Sequence, residues 1–471
     1  MSNLSSKRLS RRSFLAVTGA LSAGALLAAC TPAATPAPAA TAAPAATAAP
    51  KATDVPKAAP PAGPVTVRAH MVKKEDVSDW IQMGLDQDLD GFKTKNPNIT
   101  VKLETIPGWT AEYVPKIMSF TAAGSLGDLV WFPPRHRSHI ACGTQYNVVR
   151  DIRPLAEGAQ YDLAKNFYAG ANEVNSYQGK QYWLSYISEP IVPVIAYNKT
   201  LLKSMGVAEP TDDWTFADLA QWAKAATKNG VFAYSEGDRR YIPFSGAPYM
   251  RQWGVEPVDA DGKKAQFTKF KDQLVPALKF SYDLIANKVS PSPTTGAIND
   301  PEMYGGQKLI ATDIWPIRIQ IYPAPFKNFE HGFVLTPVVN KGDKRRSMLN
   351  EHVFGITNLS KVPEASFTFL TWICGKEMNV QALVQGHKGP IARGDVWADD
   401  RIYGPNPTYK KLKPIMDAIE PDFVVANFRG EEWDNAVNAV YDAMELGKVT
   451  PDQAVDQMQS AAQAVLDKEP A

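Results

Sequence analysis

Asp128-Leu129-Val130-Trp131-Phe132 is the most informative segment for the architecture of this chain. A short apolar run without polar alternation is typical of a strand that is buried on both faces, as strands of parallel sheets are. Parallel neighbours need long crossover connections, which are usually helices. We therefore expect strands and helices to alternate along the chain before this run.

The residues before this run supply that alternation. Two segments show the period-two pattern of half-buried strands. Their apolar members are Val65, Val67, Ala69 and Met71, and then Ile99, Val101 and Leu103. Two intervening segments have apolar residues at helical spacing and end near Asn96-Pro97 and Gly124. These residues are Ile81, Leu85, Leu89 and Phe92, and then Tyr113, Val114, Ile117 and Met118. The order strand, helix, strand, helix, strand predicts an α/β sheet with right-handed crossovers.

The carboxyl ends of these strands are the predicted position of a ligand, as in other open α/β sheets. The residues at this edge are Met71 to Lys74, Trp109, Trp131, Phe132, Arg135 and His136. Successive strand residues point to opposite faces, so one of Trp131 and Phe132 can face a cleft while the other is buried. Arg135 and His136 could bind ligand hydroxyls or could be solvated loop residues.

The C-terminal part of the chain has the pattern of two helices. The first has an apolar stripe and ends before Gly447, which is well placed as a left-handed residue after the helix. The stripe consists of Trp433, Val437, Val440, Tyr441 and Met444. Thr450-Pro451-Asp452-Gln453 then predicts an N-cap, a proline in the first turn and a capping-box glutamine for the last helix.

The N-terminus has the organisation of an export signal. Arg11 and Arg12 in Ser10-Arg11-Arg12-Ser13-Phe14-Leu15 fit the twin-arginine pattern. The apolar run that follows is too short for a comfortable membrane-spanning helix of about 20 residues. It ends in Leu27-Ala28-Ala29-Cys30, which resembles a bacterial lipobox, so Cys30 is expected to receive lipid. Residues 31–63 are almost entirely Ala, Pro and Thr and predict a disordered tether.

Charge and cysteine content exclude some classes of protein. Four of the 50 Lys and Arg residues lie in residues 1–30, which contain no Asp or Glu, so the rest has 46 basic against 49 acidic residues. A nucleic-acid-binding protein should be clearly basic on one face, because phosphate neutralisation drives its affinity. No nucleic-acid partner is therefore expected. Cys142 and Cys374 could form one disulfide outside the cytoplasm or remain two buried thiols.

Motifs of common catalytic and metal sites are incomplete. Ala123-Gly124-Ser125-Leu126-Gly127 has Ala where a nucleophile elbow needs Gly, and there is no His-Glu-x-x-His. Asp259-Ala260-Asp261-Gly262 lacks the later Glu of a calcium loop and is better explained by a β-turn. His136, His139 and Cys142 could offer three metal ligands, but an arginine within this run would repel a cation. We expect no catalytic residue, metal or cofactor.

Ordered blocks of moderate specificity extend from Val65 to about Lys468. They include Phe92-Lys93-Thr94-Lys95-Asn96-Pro97-Asn98-Ile99, Ala122 to Val130, Gly179 to Tyr186, Ala196 to Leu202, Met205-Gly206-Val207, Asp213-Trp214-Thr215-Phe216, Gly306-Gln307-Lys308 leading to Trp315, and Gly389-Pro390-Ile391-Ala392-Arg393. In these blocks the chain resembles family 1 extracellular solute-binding proteins, the group that includes maltose-binding protein.

The resemblance implies a two-lobe periplasmic-binding-protein fold of type II, with a ligand cleft between two α/β lobes joined by hinge crossovers. The first lobe would contain residues 65–189 and 353–395, and the second residues 193–349 and 400–471. The crossovers would lie near Glu189-Pro190-Ile191-Val192-Pro193 and Asn350-Glu351-His352. Cys142 and Cys374 would then share a lobe.

The resemblance also implies ligand contacts. Trp315 occupies the place of a stacking tryptophan, in a block one residue shorter here. Trp433 resembles a second stacking position but also fits the buried stripe of its helix. Tyr241 falls where the family places an aromatic residue of the second lobe, and Glu189 lies near a polar contact position at the hinge. Trp109 could contact ligand or pack in the core.

The function implied by the resemblance is non-enzymatic capture of a small solute, expected to be a sugar or oligosaccharide. The protein would be a monomer that is lipid-anchored at the outer face of the cytoplasmic membrane, on the cell surface or in the periplasm. It would deliver the solute to ABC permease subunits. One alternative is a surface-anchored carbohydrate-active enzyme, which would need two carboxylates in the cleft. The other is a sensor-linked binding protein that presents its ligand to a membrane receptor.

Overall fold

A computed structural model describes residues 63–72, 85–108, 110–133, 138–191, 193–236, 247–292, 300–321, 323, 325–386 and 388–470. Contacts divide the chain after Val55, and all described residues lie in the unit Pro56–Ala471. The expected export signal, the lipobox cysteine Cys30 and the tether up to residue 62 lie outside the described residues.

Strands and helices alternate through most of this unit. The strands are β1 (Val65–Val72), β2 (Ile99–Ile106), β3 (Leu129–Phe132), β4 (Ser176–Tyr177), β5 (Lys180–Gln181), β6 (Leu184–Pro190), β7 (Val194–Asn198), β8 (Phe232–Ser235), β9 (Leu309–Ile314), β10 (His331–Leu335) and β11 (Leu349–Ile356). The helices are α1 (Leu85–Lys95), α2 (Thr110–Ala122), α3 (Ile140–Thr144), α4 (Arg153–Gly158), α5 (Leu163–Asn166), α6 (Ala169–Val174), α7 (Lys199–Met205), α8 (Phe216–Ala226), α9 (Ala247–Gln252), α10 (Lys271–Ala286), α11 (Asp300–Gly305), α12 (Arg318–Ile321), α13 (Pro363–Ile373), α14 (Lys376–Gln385), α15 (Gly394–Trp397), α16 (Thr408–Asp417), α17 (Gly430–Glu445) and α18 (Pro451–Leu466).

The first sheet has five strands in the order β2-β1-β3-β11-β6. β1 is parallel to β2 and to β3, which confirms the alternation expected at the start of the chain. β11 comes from much later in the sequence and is antiparallel to both β3 and β6. β3 therefore lies between one parallel and one antiparallel neighbour, and all four of its residues are buried, as its apolar composition predicts.

The second sheet has four strands in the order β10-β7-β9-β8. β7 is antiparallel to β10 and β9, whereas β8 and β9 are parallel. The chain passes from the first sheet to the second between Pro190 and Val194. Ile191 N donates a hydrogen bond to Met348 O (3.0 Å), so the segment before β11 runs beside this connection. The expected lobe boundaries and crossovers stay predictions, and Asn350 to His352 pair within the first sheet.

The two C-terminal helices have the expected ends. The apolar stripe of α17 is mostly buried, and Gly447 has a left-handed φ of 69°. In α18 Thr450 and Gln453 form the predicted capping box, with Pro451 in the first turn. These helices pack against each other and on α10, and form a second core beside the four-stranded sheet. None of the helices in the described part of the chain is long and apolar enough to cross a membrane.

The two cysteines are free thiols, which decides between the alternatives left by the sequence. Cys142 lies on α3 and Cys374 follows α13, and each is buried. Burial raises the pKa of each thiol to about 12, because the thiolate would lose its hydration. Both cysteines therefore pack as small apolar residues.

Candidate ligand-binding site

A cavity of about 440 Å³ lies between elements beside the first sheet and the N-terminal end of α17, which belongs to the second core. One wall comes from α2, the end of β3, α3 and the residues just after α3, all on the side of the first sheet. The opposite wall comes from the loop before α17 and the first turns of that helix. The lining residues are Val114, Pro115, Phe132, Pro133, Ser138, Ala141, Cys142, Tyr146, Phe428, Arg429, Glu431, Glu432 and Asn435. The volume falls in the range of about 300–1,000 Å³ that is usual for small-molecule sites.

Three aromatic side chains line this cavity from different elements. Phe132 ends β3, and its ring packs on Trp183 with centroids 5.6 Å apart, which fixes its orientation. Tyr146 follows α3 and is 39% exposed, so part of its side chain is not covered by packing. Phe428 comes from the opposite wall and meets the ring of Tyr177 edge-on at 6.3 Å. Rings from both walls of the cavity therefore border one space.

The polar lining comes mainly from α17 and the residue before it. Arg429 Nη1 donates to Glu432 Oε2 (3.2 Å), and Lys468 also pairs with Glu432. Among the residues that the structure describes, the side chains of Glu431 and Asn435 make no hydrogen bond or ion pair. They are one turn apart on the helix, so they are neighbours on its surface. This pair offers a carboxylate acceptor and an amide to a molecule in the cavity.

Besides Cys142, two titratable groups of the cavity have shifted pKa values. Hydrogen bonds from Lys468, and then from Arg429, lower the pKa of Glu432, so this carboxyl is ionised at neutral pH. Partial burial raises the pKa of Tyr146, and the positive charge of Arg429 opposes that rise. A lowered pKa is the opposite of what a general acid near neutral pH requires.

Both Trp131 and Trp433 are core residues in the structure. Trp131 is 0% exposed and stacks on His352, with ring centroids 5.5 Å apart and planes 11° apart. Trp433 is also 0% exposed and stacks on Phe267 at 5.9 Å. Both rings fill cores because other elements cover the faces from which they project. Their role as ligand contacts stays a prediction that this packing does not support, whereas Phe132, the neighbour of Trp131, lines the cavity.

The other predicted contacts lie away from this cavity or outside the described residues. Trp315 directly follows β9 and is partly buried against the second core. Glu189 is 0% exposed, and its Oε2 accepts a hydrogen bond from Ile317 N (3.0 Å). The remaining predicted residues lie outside the described part of the chain; they are Trp109, Arg135, His136, Tyr241, Arg11, Arg12 and Cys30.

Several lining residues were not predicted from the sequence. Tyr146, Phe428, Arg429 and Glu431 lie outside the blocks that carry the family resemblance, and Asn435 lies in the C-terminal helical pattern without having been singled out. Their signal is weak: Phe428-Arg429-Gly430 places an aromatic and a basic residue directly before a strongly patterned helix. The apolar periodicity of that helix identifies only the face that is buried in the core. Glu431 and Asn435 line the cavity from the other face, which the periodicity does not mark.

A buried carboxyl group lies on β11, one of the strands next to the interlobe connection. Glu351 accepts hydrogen bonds from Asn175 Nδ2 (2.8 Å), Ser188 Oγ (3.2 Å) and Ser185 Oγ. These donors favour the carboxylate, but complete burial outweighs them and raises the pKa of Glu351 to about 8. The group is therefore mostly protonated near neutral pH.

Solved structures with the same two-lobe fold are similar over nearly their whole length. The ABC substrate-binding protein Lmo0181 from Listeria monocytogenes, in complex with cycloalternan, is 18% identical; the match covers 85% of this chain and 98% of that one, with a TM-score of 0.69. The GacH receptor of Streptomyces glaucescens, solved unliganded and with acarbose, is 19% identical, covering 86% and 99%, with a TM-score of 0.69. Maltose-bound MalE3 of T. maritima is 18% identical, covering 85% and 99%, with a TM-score of 0.68.

These similarities confirm the two-lobe periplasmic-binding-protein fold. A comparison with curated protein sequences gave no match. The family described as "Bacterial extracellular solute-binding protein" matches residues 87–403, which is more than half of the chain. With the fold and an interlobe cavity of small-molecule size, this match shows that the chain belongs to the bacterial extracellular solute-binding proteins.

Proposed function

We propose that this protein captures a sugar or oligosaccharide in the cavity between its lobes and delivers it to the permease subunits of an ABC importer. The observation that carries the proposal is the composition of the cavity. Phe132, Tyr146 and Phe428 offer apolar ring faces, and Glu431 and Asn435 offer unpaired polar groups. A saccharide needs both, because its ring has an apolar face and a rim of hydroxyls.

The ligands of similar structures support this class of ligand. Structures with the same fold contain cycloalternan, acarbose or maltose. A further neighbour from Arthrobacter globiformis is a cyclic α-maltosyl-1,6-maltose binding protein, with 17% identity and a TM-score of 0.69. All of these ligands are sugars or close sugar analogues with several rings, and an open cavity of about 440 Å³ accepts part or all of such a molecule.

The carbohydrate-active enzyme is less well supported by the cavity. A glycosidase needs one carboxyl group with a raised pKa beside a second carboxylate. Glu431 and Glu432 both line the cavity, but the ion pairs of Glu432 lower its pKa. Glu432 is therefore not the acid that such an enzyme needs.

The decisive experiment is calorimetric titration of the full chain, with Cys30→Ala to prevent lipid attachment, against maltose, acarbose, cycloalternan and, as a non-sugar, an amino-acid mixture. We expect a saturable signal with at least one saccharide and recovery of that saccharide intact. Binding of amino acids alone would overturn the sugar assignment, and recovery of a cleaved saccharide would favour the enzyme.

Variants of α17 locate the ligand. Glu431→Ala and Asn435→Ala are each expected to weaken saccharide binding by about tenfold, because each removes the side chain that would hydrogen-bond to a hydroxyl of the ligand. Asn438→Ala is the matched control, since Asn438 is on the same helix and does not line the cavity. Equal affinities of all three variants and the unmodified protein would place the ligand elsewhere.

The proposed cellular position is the outer face of the cytoplasmic membrane. The twin-arginine pattern at Arg11 and Arg12 and the lipobox ending in Cys30 support export followed by lipid attachment. We expect the native chain in the membrane fraction and Cys30→Ala in the soluble extracytoplasmic fraction. Arg11→Lys combined with Arg12→Lys should accumulate inside the cell. Membrane association that survives Cys30→Ala would contradict the lipid anchor.

A further inference from the structure

Phe428 has an unusual backbone conformation for its residue type. Its φ is 61°, in the left-handed region that L side chains rarely adopt. Seven non-glycine residues of the described chain have a positive φ, and the other six are Asn, Gln or Lys; Phe428 is the bulky aromatic exception. Residues in such conformations persist where the surroundings fix them, and they concentrate at functional sites.

The neighbours of Phe428 hold it in this conformation. Asn427 is 5% exposed, and its Nδ2 donates to Val465 O (2.7 Å) and Lys468 O (3.1 Å) at the end of α18. On the other side of Phe428, Arg429 Nε donates to Glu469 O (2.9 Å). Asn427 Oδ1 also accepts a hydrogen bond from Arg429 N (3.2 Å), which closes the turn over Phe428.

This turn directs the ring of Phe428 into the cavity. The side chain lines the cavity and reaches Tyr177, which belongs to the β4–β5 hairpin beside the first sheet. Phe428 is only partly buried and packs at the edge of the first core, so part of its ring stays uncovered beside the cavity. The turn therefore holds the ring at the border between the first core and the cavity, with an aromatic face on the cavity side.

We infer that Phe428 is a ligand-stacking residue of this protein and that Asn427 is the positioning residue that holds its ring in the cavity. The inference rests on the proposed function, because the occupant is taken to be a saccharide with an apolar ring face. It adds a specificity element: an aromatic face in a fixed orientation favours cyclic sugars over acyclic polyols that carry the same hydroxyls but no flat apolar face.

The test compares two glycine substitutions at positions of positive φ. Phe428→Gly removes the ring and allows the left-handed backbone without penalty. Lys288→Gly is the matched control, because Lys288 has a φ of 58° at an exposed position after α10, away from the cavity. Each full-chain variant, carrying Cys30→Ala, is titrated with the tightest binder among maltose, acarbose and cycloalternan, and its unliganded Tm is measured.

We expect Phe428→Gly to raise Kd for the saccharide by about tenfold at a temperature well below its Tm, where loss of the ring's packing at the edge of the first core leaves the protein folded. Lys288→Gly should leave Kd unchanged. An unchanged Kd for Phe428→Gly, while the unmodified protein binds, would overturn the inference and leave the proposed function intact. If none of the three saccharides binds the unmodified protein, the proposed function fails and the inference falls with it.

The role of Asn427 is separated from general destabilisation by a double-mutant cycle. Asn427→Ala alone should raise Kd by several-fold at a temperature well below its Tm. In the Phe428→Gly background the same change should have no further effect on Kd, because there is no ring left to position. An equal effect in both backgrounds would show that Asn427 acts through stability and not through Phe428.

Discussion

The burial of Glu351 predicts how the stability of the folded protein changes with pH. The side chain is completely buried beside Asn175, Ser185 and Ser188, and its pKa is raised from 4.5 to about 8. The folded protein therefore binds a proton at Glu351 between pH 4.5 and 8, whereas the unfolded chain releases it. The contribution of Glu351 to stability is then greatest below pH 4.5 and falls as the pH rises towards 8. Each pH unit in this window changes the folding equilibrium by up to tenfold, or about 5 kcal/mol over the whole range.

The assay is urea unfolding of the native chain and of Glu351→Gln at pH 5, 6.5 and 8, followed by tryptophan fluorescence. Glutamine keeps the shape and most hydrogen bonds of the protonated acid but cannot ionise. The native chain should lose stability relative to Glu351→Gln by several kcal/mol between pH 5 and pH 8. Other titrating groups are present in both proteins, so they cancel in this difference.

The control is Glu157→Gln, which changes an exposed glutamate on α4. Its stability should follow that of the native chain at every pH, because an exposed carboxyl is solvated in both states. A constant difference between the native chain and Glu351→Gln from pH 5 to 8 would refute the reasoning. It would mean that the three hydrogen-bond donors compensate fully for the loss of hydration at Glu351.

Three further predictions concern stability. Reducing agent should leave Tm unchanged, and Cys142 and Cys374 should react with a thiol reagent only after urea is added; a lower Tm under reduction would contradict the free thiols. Thr450→Ala should cost about 1 kcal/mol in chemical denaturation, because the first turn of α18 loses its cap, and no change would mean that water replaces the cap. Gly143→Ala should lower Tm by several degrees, since the added Cβ would lie 2.2 Å from Cδ1 of Tyr182, and an unchanged Tm would show that this ring moves freely.

Much of the architecture could be predicted from local patterns. The alternation in β1 and β2 and the apolar run of β3 placed three strands, and the capping box at Thr450 placed the start of α18. These signals work because a strand or helix repeats its side-chain direction with a fixed period. These signals could not predict that β11 pairs with β3. The two strands are more than 200 residues apart, and the local pattern of β3 does not depend on which strand lies beside it.

The site was less predictable for the same physical reason. Trp131 and Phe132 are adjacent aromatic residues of one strand, and the packing of His352 and Tyr113 on one face decides that Trp131 is core. Phe132 on the other face borders the cavity. The sequence was compatible with Trp433 either as a ligand-stacking residue or as part of the buried stripe of its helix. In the structure its ring is buried in the second core.

The sequence by itself determined the α/β class, the expected export signal and tether, and the resemblance that implied two lobes, because each of these depends on composition or on contiguous residues. Only the tertiary structure decided which side chains share the interlobe space, that Cys142 and Cys374 stay apart as thiols, and that Phe428 projects into the cavity from a left-handed turn. Those outcomes depend on which distant elements pack together, and burial of a face is a property of the packed pair rather than of either segment alone.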